Sequence, residues 1–534
     1  MEPLSAKRSG WLVAVAAASL GLYLWLALRY PLVTSLSHPR ASWVSLVSPT
    51  VLNLAAHLAV YLCLTLLYLA ALWLLFPRAE ATSAPSRRLV VFIFAAWLAG
   101  SVVLLFTSPA GESHDIFDYL FRGRMMVEYD ANPLADVPDS FSITTPFSRY
   151  IAWRDNVDTY GPLWEGASAA VSAGVRLAAS AAGWWNPSAP ACPASPQSCR
   201  LLVIYVTAYR LLAILMVGLA GGLIGGIVGR NQPSFTALAM LAWLWNPLTL
   251  IASALGAHND AVMLALVFLS WWLLQRRQLF GSLLVLILAA HVKLTALIWL
   301  PTCFLWILWR YGWRKALAAG LLAAASGLAL SWLLYAPFGG WGSLPRMLYE
   351  RATYFANSPW RILFTLLMRT WGWAGEAALR LTTRLPTWLA VGATLFIPLW
   401  VFNYRPWRRR GQPLDPLEAE QTLWRALAAV SLVFIFVGSF WFQHWYILWG
   451  LAPVVLLPAG FLARSFLPWL ALAALSSNVF MDFYLSMTHQ FITPLKKYAL
   501  PVLIIWGTLL VLLAIRFYTS RAASLPSGSQ QTAL

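Results

Sequence analysis

The sequence predicts an all-α fold, a polytopic transmembrane helical bundle of roughly fourteen spans whose extracytoplasmic loops carry amphipathic helices. Three observations predict it. Of 534 residues, 60% are hydrophobic and 10% charged, where an ordinary soluble domain carries about 25% charged residues. Apolar runs of about 18 residues or more recur along the chain, each long enough to cross roughly 30 Å of hydrocarbon. The runs also lack the alternation of a membrane barrel, so helices must satisfy the backbone internally.

Threading follows from the basic residues. The formal charge is +18, but the cations cluster in short segments between apolar runs, which reads as membrane topology, with no nucleic-acid partner expected. With the N-terminus inside, spans near 10–28, 50–76 and 89–108 put Arg78, Arg87 and Arg88 in the cytoplasm and segment 109–162 outside. Lys7 and Arg8 precede the first run, which reads as a retained anchor because no small-residue cleavage site follows. Spans near 201–228, 235–254 and 261–275 leave Arg230 inside, His258 to Asp260 outside, and Arg276 and Arg277 inside. Short segments 279–292 and 294–309 dip outward around Lys293 and return to Arg310, Arg314 and Lys315. Spans near 316–336 and 386–404 enclose a second outer segment, 337–385, and lead to Arg405, Arg408, Arg409 and Arg410. Four more, near 425–443, 446–463, 466–484 and 499–517, bring the C-terminus inside.

The organisation is then N-terminal transmembrane helices over 1–88, a membrane core over 89–460 that carries both outer segments, C-terminal helices over 461–518, and a polar, disordered cytoplasmic tail, 519–534. Segments 164–184 and 361–384 are interrupted by charges and are expected as amphipathic helices along the outer surface. Gly218, Gly222 and Gly226, with Gly221, Gly225 and Gly229 beside them, predict a close helix-packing face. Cys63 and Cys303 lie in apolar spans and read as small buried thiols. Cys192 and Cys199 flank a Pro/Ser-rich loop, and a disulfide is expected if that loop faces an oxidising exterior.

Chemistry concentrates in the outer segments. Gly111 to Arg124 combines acids, a base and aromatics; on a helix Asp115, Asp118, Tyr119 and Arg122 share one face. A carboxylate pair beside a guanidinium suits deprotonation of a hydroxyl near a phosphate, although a solvated helix face would show the same spacing. Gly256-Ala257-His258-Asn259-Asp260 places three polar side chains at the outer end of a span, where ionisable groups are functional by default and where a helix-capping turn is the plainer alternative. Lys293, with His291, sits between two half-length helices and calls for an anion such as phosphate. Arg346 and Arg351, near Glu350 and Tyr354, offer similar chemistry or a lipid-headgroup contact. Gln443-His444-Trp445-Tyr446 with Trp449 is either a binding cluster or part of an interfacial aromatic belt. No Walker loop, dinucleotide fingerprint or His-Glu-x-x-His zinc site occurs. All the clusters fall on one outer side, so an enzyme there needs an activated donor delivered by the membrane itself.

These residues resemble the GT-C superfamily of membrane glycosyltransferases, and among them the bacterial polyprenol-phosphate-mannose-dependent α-mannosyltransferases. Asp115, Tyr119, Gly123 and Arg124 resemble the first motif, Asn132-Pro133 and Tyr160 to Leu163 the next two, Gly256 to Asp260 the His-Asn-Asp motif, and Trp445 to Trp449 the late aromatic one. The likeness covers about residues 90–460. It implies transfer of a hexose, with mannose expected, from a polyprenyl-phosphate-sugar donor to a glycan or glycolipid hydroxyl. Transfer would invert the anomeric carbon at the extracytoplasmic face of the inner cell membrane. Asp115 holds the family-like position four residues before Tyr119 and is expected as general base; Ser113 would cap the helix and keep that carboxylate ionised in the first turn. Asp118, the second catalytic candidate, would orient Arg122. Arg122, Arg124, Lys293 and Arg351 are the expected ligands of the donor phosphate. His114, Tyr119, Tyr160, His258, Asn259, Asp260, His444, Trp445 and Tyr446 are the expected substrate contacts. No cofactor is firmly implied; a divalent cation is the one the phosphate chemistry would accept. A transporter or lipid-linked-sugar flippase, and a ligase moving a whole glycan from a lipid carrier, are the competing readings.

Overall fold

The computed structural model of the chain describes residues 6–37, 50–76, 84–108, 113–141, 150–186, 192, 194–353, 356–408, 415–457, 466–488 and 494–524. Arg78, Gly111, Tyr354, Arg409, Arg410 and the end of the 519–534 tail lie outside them. The described chain is helical, with two isolated bridges, Pro31 to Thr107 and Ala356 to Trp441, and no strand among the described residues.

The N-terminal third contains α1 (Ala6–Arg29), α2 (Leu32–Ser37), α3 (Val51–Leu75), α4 (Arg87–Leu105), α5 (Asp115–Glu128) and α6 (Pro162–Ala181). The hydroxyls of Thr50 and Ser86 accept the N–H groups of Asn53 and Leu89 and so cap α3 and α4. The middle runs through α7 (Pro196–Asn231), α8 (Thr236–Leu244), α9 (Pro247–Leu250), α10 (Asp260–Gln275), α11 (Leu279–Ala290), α12 (Leu300–Tyr311) and α13 (Trp313–Tyr335). It is followed by α14 (Leu344–Thr353), α15 (Pro359–Arg369), α16 (Gly375–Arg408), α17 (Pro416–Val433), α18 (Ile447–Val454), α19 (Leu467–Thr488) and α20 (Pro494–Ser524).

Among the described residues nine helices are long and apolar enough to cross a membrane. Their outward residues, such as Leu28, Leu321, Trp332 and Leu510, are exposed and apolar, as a lipid-facing surface requires. Other expected crossings fall on a pair of helices, Pro233–Leu244 and Pro247–Leu255, bent by 51°, and on the shorter Asp260–Gln275, Leu279–Ala290 and Leu467–Met481. The bend has a local cause. Pro247 cannot donate to the preceding turn, and the backbone groups freed there find side chains: Tyr68 Oη donates to the Ala242 carbonyl, and Asn246 Oδ1 accepts the Leu248 N–H.

One surface-helix expectation needs correction. α16 is continuous from Gly375 to Arg408, so the charged stretch after 375 extends a crossing helix and does not form a separate surface element. Glu376 pairs with Arg380 one turn on, and the hydroxyls of Thr383 and Thr387 bond carbonyls one turn back, so nothing there stops the helix. α6 is amphipathic, with Glu165, Ser168 and Ser172 buried against the protein and Arg176 and Leu177 exposed. The glycines of α7 do make a packing face. A Cβ at Gly218 would press on the Trp97 ring, at Gly221 on Leu244 and at Gly225 on Met240. Cys303 is buried, whereas Cys63 is exposed on α3. Cys192 and Cys199 are joined by a disulfide just before and within the first turn of α7.

Candidate functional site

The first turn of α5 starts the site. Ser113 Oγ accepts the Asp115 N–H at 3.1 Å, and the helix begins at Asp115. α5 then packs on α6 so closely that a Cβ at Gly123 would lie 2.5 Å from the Ser168 carbonyl oxygen. That approach is the physical use of the glycine before Arg124.

The segment 159–163 is spliced onto the segment containing Lys293. Gly161 N–H donates to the Val292 carbonyl at 3.1 Å and Leu163 N–H to that of His291 at 3.0 Å. A Cβ at Gly161 would overlap the His291 carbonyl oxygen, so only glycine permits the contact. The splice carries Tyr160 to the start of α5: its hydroxyl donates to Asp115 Oδ2 at 3.5 Å and accepts from Tyr119 Oη at 3.5 Å.

The same splice fixes Lys293. Its ammonium donates to Asp260 Oδ2 at 2.8 Å and stands 5.3–5.4 Å from the ring centroids of Tyr160, Tyr446 and Trp449. Trp449 Nε1 donates to the other oxygen of Asp260 at 2.5 Å. Between π turn 251–255 and α10 the chain turns through Ala257, whose φ of 52° lies in the left-handed region that alanine rarely adopts. This turn presents His258, whose Nδ1 is 3.7 Å from Asp115 Oδ2 and whose ring stacks on Trp445 with centroids 3.6 Å apart. His444 stands next to both rings.

Burial sets the protonation tendencies. It raises the Asp115 carboxyl, against the Ser113 hydrogen bond and the charge of Lys293, which favour the carboxylate. It lowers His258 well below the ordinary imidazole value, with His444 and Lys293 adding to the effect, so His258 is neutral. His114, buried at the start of α5, is pushed down to about 3 for the same reason.

The other predicted residues are placed differently. The common face of α5 divides: Asp115 and Tyr119 meet Tyr160, while Asp118 accepts the backbone N–H groups of Trp153 and Ala152 at 3.1 and 3.4 Å. Arg122 pairs with Asp158 at 3.2 Å, not with Asp118, and also donates to the carbonyls of Trp153 and Asn156. Arg124 forms a two-pronged pair with Glu128 at 2.6 and 2.5 Å and lies over the Tyr205 ring. Both guanidinium groups are thus committed to internal carboxylates, which leaves Lys293 as the cation inside the cluster. Asn259 is fully buried, and neither atom of its amide finds a hydrogen-bond partner among the described residues. Arg346 donates to the Ala135 carbonyl. Arg351 belongs to α14, with its side chain outside those described. Among the described residues no three His, Cys, Asp or Glu side chains come together to hold a metal ion.

Three residues escaped the reading of the sequence. Arg210, fully buried in α7, donates to the carbonyls of Leu104, Leu105, Thr107 and Leu255 at 2.8–3.2 Å. It thereby ties the end of α4, which leads to Asp115, to the turn that leads to His258. An arginine inside an apolar run is itself a signal that could have found it. Asp158 and Glu165, flanking the Tyr160 motif, lie in no motif of their own.

The family described as Alpha-(1->6)-mannopyranosyltransferase, N-terminal domain, matches residues 11–310, more than half of the chain and every site segment up to Lys293. No curated protein matches the chain.

Proposed function

Because the chain belongs to the alpha-(1->6)-mannopyranosyltransferase (MptA_B) family, we propose that this membrane mannosyltransferase takes mannose from a polyprenyl-phosphate donor and passes it, with inversion, to a hydroxyl of a glycan or glycolipid at the extracytoplasmic face. One observation carries the reading: of the two carboxylates that meet in the cluster, Asp260 is neutralised by Lys293 while Asp115 faces a tyrosine hydroxyl and a neutral imidazole. Asp115 is therefore the group able to accept a proton from the acceptor hydroxyl. The resulting nucleophile attacks the anomeric carbon opposite the phosphate, and the bond to the phosphate oxygen breaks as the new glycosidic bond forms. Lys293 donates to Asp260 and stands beside the rings of Tyr446 and Trp449, and its ammonium can turn to the leaving phosphate as charge develops on it. The Trp445–His258 stack offers a flat apolar surface for the sugar.

The disulfide supports the outward orientation. Such bonds persist in oxidising compartments, and Cys199 lies at the end of α7 opposite Arg230, a positive-inside anchor. The test is turnover by the purified protein of synthetic polyprenyl-phosphate mannose with a mannoside acceptor, read as released polyprenyl phosphate and an added α-(1→6)-linked mannose. Turnover of a nucleotide-linked mannose but not of the lipid-linked one would overturn the donor assignment.

A further inference from the structure

Glu165 lies one helical turn after the motif that positions Tyr160, and the chemistry above does not use it. It is fully buried on α6, and neither carboxyl oxygen meets a hydrogen-bond donor among the described residues. It faces instead the carboxyl group of Asp158, within hydrogen-bonding reach. Asp158 is also buried; its Oδ1 accepts the N–H groups of Thr159 at 2.6 Å and Tyr160 at 3.0 Å, and its Oδ2 lies 3.2 Å from Arg122 Nε. One guanidinium thus serves two carboxyl groups in contact, while Asp118 from α5 is occupied by the backbone of 152–153. Two buried carboxylates side by side with one cation would leave an uncompensated buried charge, which is strongly unfavourable. A single proton between them removes the excess and supplies the missing donor.

We propose that Glu165 carries a proton that it shares with Asp158, and that it is thereby a positioning residue holding Tyr160 against Asp115. The proposal rests on the reading of Asp115 as the proton acceptor. Burial first, then the neighbouring Asp158, hold the Glu165 carboxyl well above the usual carboxylate range, against the smaller opposing pull of Arg122. Asp158 from the preceding loop and Arg122 from α5 are the charged groups acting on it. From α7 the titratable neighbour is Tyr209, whose hydroxyl is engaged with the carbonyls of Tyr119 and Ser168. The sign follows from the raised carboxyl: the shared proton is held at lower pH and is lost as pH rises through the elevated value. Glu165 and Asp158 then repel, and Tyr160 is released from Asp115.

Three versions of the full-length protein test this, with infrared spectroscopy and sugar transfer measured over pH. Glu165→Gln keeps a donor toward Asp158 and cannot ionise; Glu165→Leu has no donor. A protonated-carboxyl stretch is expected in the wild type and should lose one component in Glu165→Gln, a readout independent of any activity. Glu165→Leu should lower kcat about tenfold with KM little changed, since misplacement by a fraction of an ångström acts on the reacting geometry. Glu165→Gln should restore kcat and flatten the alkaline fall of the wild-type profile. An unchanged infrared band in Glu165→Gln overturns the shared proton, and an alkaline fall that persists in that variant overturns the positioning role. Absence of lipid-phosphate-dependent transfer in the wild type would instead count against the proposed function, with the infrared comparison still deciding where the proton is.

Discussion

Two faces of α5 carry the same kinds of residue and meet different partners. On one, Asp118 and Arg122 are engaged by the 152–158 loop. On the other, Asp115 and Tyr119 meet hydroxyls and an imidazole at 3.5–3.7 Å, longer than good hydrogen bonds. Burial does not distinguish the faces, since all four side chains are buried. The difference is the kind of partner: backbone groups and a carboxylate on one side, side-chain hydroxyls and an imidazole on the other.

The largest test of that contrast is Asp115→Asn, which keeps size and removes basicity. Turnover should fall at least about 10²-fold with donor binding retained, measured side by side on the purified variant. Near-normal transfer would erase the distinction between the faces. Next comes Lys293→Met, expected to weaken donor binding about tenfold or more and, by leaving Asp260 buried without its cation, to destabilise the fold by about 3–5 kcal/mol. Pairing it with Asp260→Asn should restore thermal stability without restoring donor affinity; recovery of both would make Lys293 a purely structural cation. Gly161→Ala should follow, because the new methyl group must push the Tyr160 segment off the His291 carbonyl. A fall in kcat of about tenfold is expected, and a wild-type kcat would show that the splice tolerates the shift. Smallest is Asp118→Asn, which keeps one acceptor for the loop and should cost about 1 kcal/mol of stability and only a few-fold in transfer. A loss as large as that of Asp115→Asn would move the general base one turn along the helix.

Much of the membrane architecture was legible because apolar length and basic clusters are local signals. The Asn246-Pro247 bend was not read, since it depends on Tyr68 and on a backbone break inside one apolar run. At the site, Asp115, Tyr160, His258, Asp260 and Lys293 could be suspected because each is polar next to apolar sequence. Which of them touch could not be read: the Gly161 splice joins segments about 130 residues apart in the chain, a separation no periodicity reveals. Arg122 illustrates the other gap. Spacing along α5 pointed to Asp118 as its partner, whereas the tertiary fold brings Asp158, which no helical register places beside it.

The resting pair of Lys293 and Asp260 bears on product release. On the proposed function, transfer would leave a polyprenyl monophosphate, more strongly charged than the donor it came from, and an unpaired ammonium would grip that product and stall the next cycle. Asp260 is fixed by Trp449 at hydrogen-bonding distance from the same ammonium. On that reading it would act as a built-in competitor for the cation, the spent lipid leaving as Lys293 falls back to its carboxylate and aromatic walls, so that the pair would also spare the enzyme inhibition by its own product.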